Sequence, residues 1–364
     1  METTEERIAS RVINECLGIK GGDVVIISTY PHTIPLANAM ALECYRQDAD
    51  PLTVLDTDEV FYGHMNMLSE ESLRTTSEHC LGLADYTKYY IWLGGPKDPA
   101  PMRDVPSSKF SALFEGEKAH WDKNLEVGNL SAGLALGQVT PERARAYGFD
   151  FEAWKRMVED AIEVSPKELS DWGRKLEPIL GVSGKVRVTA PNGTDLRFEL
   201  GGRTPQIFDG ILDEEDMKRG SLGVGLPSGD VEVAILEQTA EGTVLFDVPT
   251  PQLGVLIKDM RWVFEGGRLV KLGAGENEDA VRGLYEGASG DKDRLGSLTV
   301  GVNPKAKTGF LDSAIPRGAV TLGIGDNREL GGKNESDWGF AGTLSRATLV
   351  IDGTVVVKEG SINL

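Results

Sequence analysis

Acidic and amide side chains cluster in glycine-rich stretches of the second half of the sequence. Residues 226–232, 325–329 and 331–338 each combine glycine with Asp, Glu or Asn, and Glu237 and Glu241 follow the first stretch closely. Carboxylates that converge from separate strands can bind a cation or act as general acid and base. Acidic loop residues are also the ordinary solvated surface of an acidic chain. The pattern by itself leaves both interpretations open.

All four histidines, His32, His64, His79 and His120, lie in the first third of the sequence. Any mechanism that needs an imidazole must recruit it from there. His32 is the best placed, because it lies between a predicted strand and a predicted helix, where α/β sheets usually bind ligands. The alternative is an ordinary polar loop residue. We predict that His32 contributes to binding a substrate.

Composition excludes several classes of function. The chain has 364 residues, with 38 Lys and Arg against 57 Asp and Glu, which gives a net charge of −19 when His is neutral. Such a surface repels nucleic acid and anionic membranes. No apolar run approaches the roughly 18 residues of a membrane-spanning helix, and the acidic N-terminus is unlike a signal peptide. Three cysteines without a CxxC pair are typical of reduced thiols, so we predict a cytoplasmic protein.

The elements that must position these residues differ between the two halves of the chain. In the first half, residues 8–17 and 35–46 have helical patterns, and residues 23–28, 51–55 and 89–93 are short apolar runs typical of buried strands. A strand, a helix and a strand at this spacing predict parallel pairing in an α/β layer.

Two predicted helices, residues 151–164 and 166–176, precede a change of pattern at Gly181. Beyond Gly181, short β-runs alternate with glycine-rich turns, with one helix predicted over residues 276–285. The strands are predicted at residues 185–189, 196–200, 231–236, 243–247, 261–265, 268–272, 297–302, 319–325 and 348–357. We therefore predict an α/β N-terminal domain, residues 1–180, and an α+β, β-rich C-terminal domain, residues 181–364.

Nine short motifs follow one another in a characteristic order over more than half of the chain. They span residues 161–169, 190–196, 201–203, 226–231, 240–242, 296–304, 318–325, 331–336 and 350–353. Through them, the run from Ala144 to the C-terminus resembles the M29 family of metallopeptidases, the thermophilic aminopeptidases. It also resembles their relatives among the iron-dependent dihydroxypyridine ring-cleaving dioxygenases. The resemblance implies a C-terminal domain of M29 aminopeptidase type and a homodimer.

The resemblance also implies where a metal would bind, and this sequence departs from the family there. Asp230 takes the place of a Glu directly after the Pro-x-Gly turn, and Ser297 that of a Glu at the head of the strand ending in Asn-Pro. Thr321 stands at a histidine position and Arg328 at a tyrosine position. Hydroxyl groups are weaker ligands for a divalent metal than imidazole or carboxylate.

The closing His-x-Asp of the family falls on Gly339 and Ala341, whose side chains supply no donor. No histidine follows His120, so the two-histidine, one-carboxylate face that iron oxygenases need is missing as well. We therefore predict that the ancestral metal has been lost and that the protein has no metal cofactor. Arg328 would then replace the positive charge of the ion.

We favour a repurposed, hydrolase-like enzyme that acts on a small polar or amide-containing substrate without the metal. Asp230 or Asp337 would serve as general base, and Arg328 would hold an anionic group. The substrate-binding residues would be Ser297, Thr321, Asp326 and His32.

Two other functions stay open. A metallo-aminopeptidase could use displaced ligands, and all-oxygen ligation would suit Mg, Ca or Mn better than Zn. Its ligands would be Asp230, Glu237, Asp326 and Asp337. A non-catalytic relative would instead bind a ligand or partner. The expected partners are a small-molecule or peptide-like substrate and a second copy of the chain, with no nucleic acid and no membrane.

Overall fold

In the computed structural model, which describes residues 3–364, helices and strands alternate in the first half and strands dominate the second. The helices are α1 (Thr4–Ser10), α2 (Ile34–Arg46), α3 (Asp58–Met67), α4 (Glu70–Leu73), α5 (Glu78–Ala84), α6 (Ser107–Val127), α7 (Pro141–Tyr147), α8 (Phe151–Ile162), α9 (Pro166–Leu180), α10 (Glu214–Lys218) and α11 (Asp279–Gly287). A π-helical segment, Arg11–Cys16, continues α1. Within the described residues, no helix has both the length and the apolar character that crossing a bilayer requires.

The strands carry most of the architecture. They are β1 (Val24–Thr29), β2 (Asp50–Leu55), β3 (Tyr89–Trp92), β4 (Leu130–Leu134), β5 (Ser183–Thr189), β6 (Asp195–Gly201), β7 (Gln206–Phe208), β8 (Gly223–Leu226), β9 (Asp230–Ala234), β10 (Glu241–Leu245), β11 (Thr250–Gln252), β12 (Val255–Ile257), β13 (Arg261–Glu265), β14 (Arg268–Gly273), β15 (Leu295–Gly301), β16 (Val320–Ile324), β17 (Phe340–Leu344), β18 (Thr348–Ile351), β19 (Thr354–Lys358) and β20 (Ser361–Ile362). They form the sheets of two units, which we describe separately.

The first unit runs to Lys155 and also takes in Gly210–Pro227. Its sheet has the order β2-β1-β3-β4-β8, and every neighbouring pair is parallel. The β-branched run of β1 buries Val25 and Ile27 completely, as is typical of a central parallel strand. α2, with Pro35 in its first turn, connects β1 to β2. The predicted parallel strand–helix–strand unit is confirmed.

The second unit comprises Arg156–Asp209 and Ser228–Leu364. It contains an eight-stranded sheet of order β14-β13-β10-β6-β5-β18-β19-β20 and a five-stranded sheet of order β17-β16-β15-β9-β7. Neighbouring strands in both are antiparallel, and β11 and β12 form a separate hairpin. Phe198 and Trp262 of the larger sheet and Leu298 of the smaller one belong to one apolar core. The predicted β-rich second half is confirmed.

The limits of the two units differ from the single boundary predicted near residue 180. β8 pairs with β4, so Gly210–Pro227 returns to the first unit. α9 packs against β7 and β9 and buries Leu176 and Leu180 in the core of the second unit. The burial of its apolar side, and not the change of pattern at Gly181, decides which unit holds α9.

One strand prediction needs correction, and several strands were missed, namely β4, β7, β8, β11, β12, β17 and β20. Residues 348–357, predicted as one strand, form the antiparallel hairpin β18–β19, because Asp352 and Gly353 both adopt positive φ and reverse the chain. β17 was not predicted at all, since its sequence, FAGTL, mixes small and apolar residues without a clear alternation.

Candidate functional site

Five polar side chains form a line across the five-stranded sheet. Residues that lie directly opposite each other in an antiparallel ladder share one face of the sheet. The register pairs Gln206 with Glu232, Glu232 with Thr299, Thr299 with Thr321, and Thr321 with Thr343. We call these five residues the polar row, and the side of the sheet that carries them the polar face.

Hydrogen bonds join the polar row internally. The hydroxyl oxygens of Thr321 and Thr343 lie 2.8 Å apart, and both side chains are buried. Hydrogen bonding with the hydroxyl groups of Ser297 and Thr299 lowers the pKa of Glu232, against the effect of burial. A buried polar group without a partner costs free energy, so these pairings explain how hydroxyl groups are tolerated inside a sheet.

The rows beside the polar row carry the positions that the family resemblance singled out. Asp230 precedes Glu232 by two residues on β9, so both side chains lie on the polar face. On the other side of the row, Ser297 pairs with Gly323 and Gly323 with Ala341. A Cβ at Gly323 would lie only 2.6 Å from the Ser297 hydroxyl oxygen, so glycine there leaves room for that group.

The opposite face of the same strands is apolar. Val231, Val233, Leu298, Val300 and Leu322 alternate with the residues of the polar face and are almost fully buried in the core of the second unit. The sheet is therefore anchored in the core through its apolar side and not through the polar face. Its carboxyl and hydroxyl groups are candidates for chemistry.

The two carboxyl groups of the polar face resist ionisation. Burial, reinforced by the negative charges of Glu232 and Asp312, raises the pKa of Asp230 well above its ordinary value. Burial also raises the pKa of Glu232, against the lowering effect of the hydrogen bonds from Ser297 and Thr299. Among the described residues, no basic side chain contributes to either shift of pKa.

A second group of acidic residues is bound to arginine. The carboxylate of Glu237 forms an ion pair of 2.8 Å with Arg203, and both side chains are largely buried. It also accepts hydrogen bonds from the backbone N–H of Lys333, at 2.7 Å, and from the side-chain amide of Asn327. Burial would raise the pKa of Glu237, but the hydrogen bond from Arg203 and the backbone donors outweigh it and lower the pKa. Glu237 thus anchors the loop that follows Asp326. We call residues 326–334, together with Glu237 and Arg203, the arginine-anchored loop.

Three of the predicted site residues lie in or beside this loop. The guanidinium of Arg328 is exposed and pairs with Asp326 at 2.7 Å and with Glu335 at 3.3 Å. The exposed carboxylate of Asp337 accepts hydrogen bonds from the backbone N–H and the hydroxyl of Ser289, at 2.7 and 2.6 Å. Arg328, Asp326 and Asp337 therefore hold loops together instead of joining the polar row.

Of the predicted site residues, the structure brings Asp230, Ser297 and Thr321 together on the polar face. His32 belongs to the first unit, where its Nε2 donates a hydrogen bond to the carbonyl oxygen of Gly137 at 2.8 Å. The sequence analysis missed the other members of the polar row. Period-two alternation could have found two of them, since Glu232 follows Asp230 and Thr299 follows Ser297 by two residues each.

Comparison with known proteins adds independent evidence. Residues 180–304 match the model of the thermophilic metalloprotease (M29) family. The M29 resemblance is confirmed for this segment. No curated protein sequence matches the chain.

Two solved structures share the fold over the whole chain. The chain is similar to wild-type AmpT from Thermus thermophilus, with a TM-score of 0.77, 19% sequence identity and 99% of both chains covered. It is also similar to 2,5-dihydroxypyridine dioxygenase from Pseudomonas putida KT2440, with a TM-score of 0.63, 14% identity, and 99% of this chain and 96% of that chain covered. At these identities the likeness establishes the fold.

The M29 family implies a divalent metal, and the side chains present do not fit one. Within residues 3–364, no group of three or more His, Cys, Asp or Glu side chains is placed to hold a metal ion. At the positions where the resemblance places the family's ligands, Ser297 and Thr321 offer only hydroxyl groups, and Gly339 and Ala341 offer no side-chain donor.

Proposed function

We propose that the protein is an M29-type, hydrolase-like enzyme that acts on a small polar or amide-containing substrate at the polar face, without a metal. One observation carries the proposal. Asp230 and Glu232, two carboxyl groups that resist ionisation, lie on one face beside a line of hydroxyl groups, where the resemblance places the family's ligands. Titratable groups with a strongly perturbed pKa are characteristic of functional sites.

The two carboxyl groups fit the two proton transfers of amide hydrolysis, in which a base removes a proton from water and an acid protonates the leaving nitrogen. We assign the acid to Asp230, because burial and the nearby Glu232 and Asp312 hold its pKa well above the ordinary value. We assign the base to Glu232, because the hydrogen bonds from Ser297 and Thr299 favour its ionised form and limit the rise of its pKa. Environments that separate two carboxyl pKa values are the usual basis of an acid–base pair.

The rest of the polar face would position the substrate. The Ser297 hydroxyl lies beside the exposed Ala341 and opposite Gly323, where small side chains leave space. A hydroxyl group that donates a hydrogen bond to a substrate carbonyl stabilises the negative charge that develops on its oxygen. Asp230 was predicted as the base, and in this proposal it is the acid.

A panel of small amides and peptides tests the proposal on protein treated with a chelator. We expect turnover that survives chelation and falls at least 100-fold in Asp230→Asn and in Glu232→Gln, as general acid–base groups contribute about 10²–10⁴-fold. Asp171→Asn and Glu286→Gln, which alter exposed carboxylates of the second unit, are the matched controls and should retain full turnover. Turnover that chelation abolishes, or that neither site variant reduces, would contradict the proposal.

The displaced-ligand aminopeptidase has less support. Glu237 and Asp326 are paired with arginines, and Ser289 engages Asp337, which leaves Asp230 as the one proposed ligand on the polar face. Elemental analysis of protein purified without chelator distinguishes this aminopeptidase from the metal-free enzyme. A stoichiometric divalent ion that is lost in Asp230→Asn would favour the aminopeptidase.

A non-catalytic relative would show no turnover on the panel, yet it would gain thermal stability from its ligand. The homodimer and the cytoplasmic location also stay proposals that follow from the resemblance and the composition. Light scattering on the purified full chain tests the first, since a homodimer doubles the 39.4 kDa mass of the chain.

A further inference from the structure

The parallel sheet of the first unit reverses its strand order between β1 and β3. From β1 the chain passes through α2 to β2 at one edge, whereas from β3 it continues through α6 to β4 on the other side. The loops that follow β1 and β3 therefore diverge. Such divergence opens a crevice at the carboxyl ends of the two strands, where open parallel sheets usually bind ligands. We call this place, with residues 30–33 and 93–98, the switch crevice.

His32 presents an unused nitrogen at the switch crevice. A carbonyl oxygen only accepts hydrogen bonds, so Nε2 of His32 must carry the proton that bonds to Gly137. Nδ1 is buried and has no hydrogen-bond partner. The loops behind it are closely packed, because a Cβ at Gly94 would lie 2.6 Å from the Gly137 carbonyl group. The imidazole is thus held in one orientation with one nitrogen unoccupied.

Arg143 presents a buried positive charge at the same place. Only 7% of its surface is exposed, and one terminal nitrogen donates a hydrogen bond to the carbonyl oxygen of Pro96 in the loop after β3. Its Nε is buried without a partner. In the described part of the chain, no carboxylate forms an ion pair with it; Tyr147, Tyr62 and, more weakly, Asp58 are the groups that favour its charged form. Burying a cation without a direct ion pair is costly, and guanidinium is the side chain best suited to bind carboxylate or phosphate.

The acidic groups around the switch crevice are already occupied. Asp58 accepts hydrogen bonds from the backbone N–H groups of Lys97 and Asp98, at 2.8 and 3.0 Å. The Lys97 side chain pairs with Glu142 at 2.9 Å. Asp56 accepts hydrogen bonds from the N–H of Thr57 and, at 3.3 Å, from the Tyr30 hydroxyl. Among the described side chains around the crevice, the buried atoms without a hydrogen-bond partner are Nδ1 of His32, Nε of Arg143 and Oε2 of Glu142, whose other carboxylate oxygen pairs with Lys97.

We propose that the switch crevice is an oxyanion-binding site, in which Arg143 and His32 hold a phosphate or carboxylate group of a small molecule. The site consists of residues of the first unit alone, so it stands independently of the polar face. Nε of Arg143 supplies a charged donor, and Nδ1 of His32 pairs with the hydroxyl of a singly protonated phosphate or, when protonated itself, with an anionic oxygen.

The four histidines make a direct test possible. Inorganic phosphate and acetate are titrated separately into the full-length protein at constant ionic strength set with sodium chloride, while the imidazole NMR signals are recorded. His32→Gln identifies the His32 signal. We expect one of the anions to shift that signal saturably and to leave the signals of the other three histidines unchanged. The anion that binds more tightly shows whether the site prefers phosphate or carboxylate.

Arg143→Lys should weaken the binding of that anion at least tenfold, because lysine lacks the Nε donor. Arg103→Lys, an exposed arginine of the same unit that bonds to the Ala100 carbonyl oxygen, is the matched control and should not change the affinity. No saturable shift of His32 beyond that caused by chloride, or equal affinity in Arg143→Lys, would overturn the proposal.

Should Arg143→Lys fail to fold, thermal unfolding decides instead. The wild-type protein should melt at a higher temperature in the bound anion than in chloride, because binding stabilises the folded state. His32→Gln should lose most of that gain. Equal gains in the two proteins would contradict a role for His32 and reject the site.

Discussion

The polar face and the arginine-anchored loop hold the same type of side chain in opposite electrostatic states. On the polar face, burial raises the pKa of Asp230 and Glu232, and no basic group among the described residues offsets it. In the loop, arginine and backbone donors lower the pKa of Glu237 and Asp326 in spite of burial. Carboxylates bound by arginine hold the fold together, whereas carboxyl groups without a basic partner have raised pKa values that suit acid–base chemistry.

The difference between the polar face and the arginine-anchored loop also corrects the prediction of one common site. The sequence places Asp230, Asp326, Asp337 and Arg328 in similar glycine-rich surroundings, and all four were predicted as site residues. Only Asp230 lies on the polar face. The loop residues bind one another, because a charged donor within 3 Å of a carboxylate competes with any ligand for its oxygen atoms.

Loss of the buried ion pair should have the largest effect on stability. Arg203→Met leaves the Glu237 carboxylate buried without its partner, so we expect the free energy of unfolding to fall by about 3 kcal/mol. Urea denaturation measures the change. Lys167→Met removes an exposed pair with Asp171 and should change stability little. If the two variants lose similar amounts, the loop is not anchored by its arginine.

The threonine pair of the polar row should show a smaller, non-additive effect. Thr321→Val leaves the buried hydroxyl of Thr343 without its partner, so we expect a loss of about 1–2 kcal/mol in the free energy of unfolding. The double variant with Thr343→Val removes both hydroxyl groups and should be more stable than the sum of the single changes predicts. Strict additivity in urea denaturation would show that the pair does not interact.

Glu232→Gln should change the pH dependence of the free energy of unfolding, with a sign that distinguishes the polar face from the arginine-anchored loop. The pKa of Glu232 is raised in the folded protein, so the folded state holds the proton more tightly than the unfolded state. Stability is therefore lost as pH rises from the unfolded pKa, about 4.3, through the raised folded value. The variant has no such group, so its stability relative to wild type should increase over that window. Urea denaturation at a series of pH values measures this, and a relative decrease would refute the raised pKa.

Asp326→Asn should show the opposite sign and the smallest effect, because Arg328, its partner, is exposed. The hydrogen bonds from Arg328 and the backbone lower the pKa of Asp326 although burial opposes them. The stability that this carboxylate contributes is therefore complete above the unfolded pKa, about 3.9, and is lost as pH falls through the folded value. The variant should be less stable than wild type at neutral pH, and the difference should shrink in acid. The same series of urea denaturations measures it. A difference that does not change with pH would exclude a lowered pKa of Asp326.

Much of the first unit could be predicted, because parallel strands and their helices have local signatures. The run from Val24 to Thr29 is β-branched and lies between turn residues, and Pro35 begins the following helix. The return of β8 to this sheet could not be predicted in the same way. Its partner β4 lies about ninety residues earlier, and Gly223–Leu226 is a short, glycine-containing strand.

The candidate site was predicted in part. Asp230, Ser297 and Thr321 were found through the resemblance, which depends on motif order along the chain. Gln206 and Thr343 were missed, because their place in the polar row depends on which strands are neighbours and in what register, and a shift of one residue would turn each side chain to the other face.

By itself, the sequence determined the classes of element, the M29 resemblance, and the lack of histidine beyond His120, because periodicity, motif order and composition are properties of the chain. The tertiary structure alone decided which polar groups meet. Antiparallel register placed Glu232, Thr299 and Thr321 side by side, and loop packing joined Arg203 to Glu237. Those contacts join residues 22 to 67 positions apart along the chain, distances over which no local pattern specifies a partner.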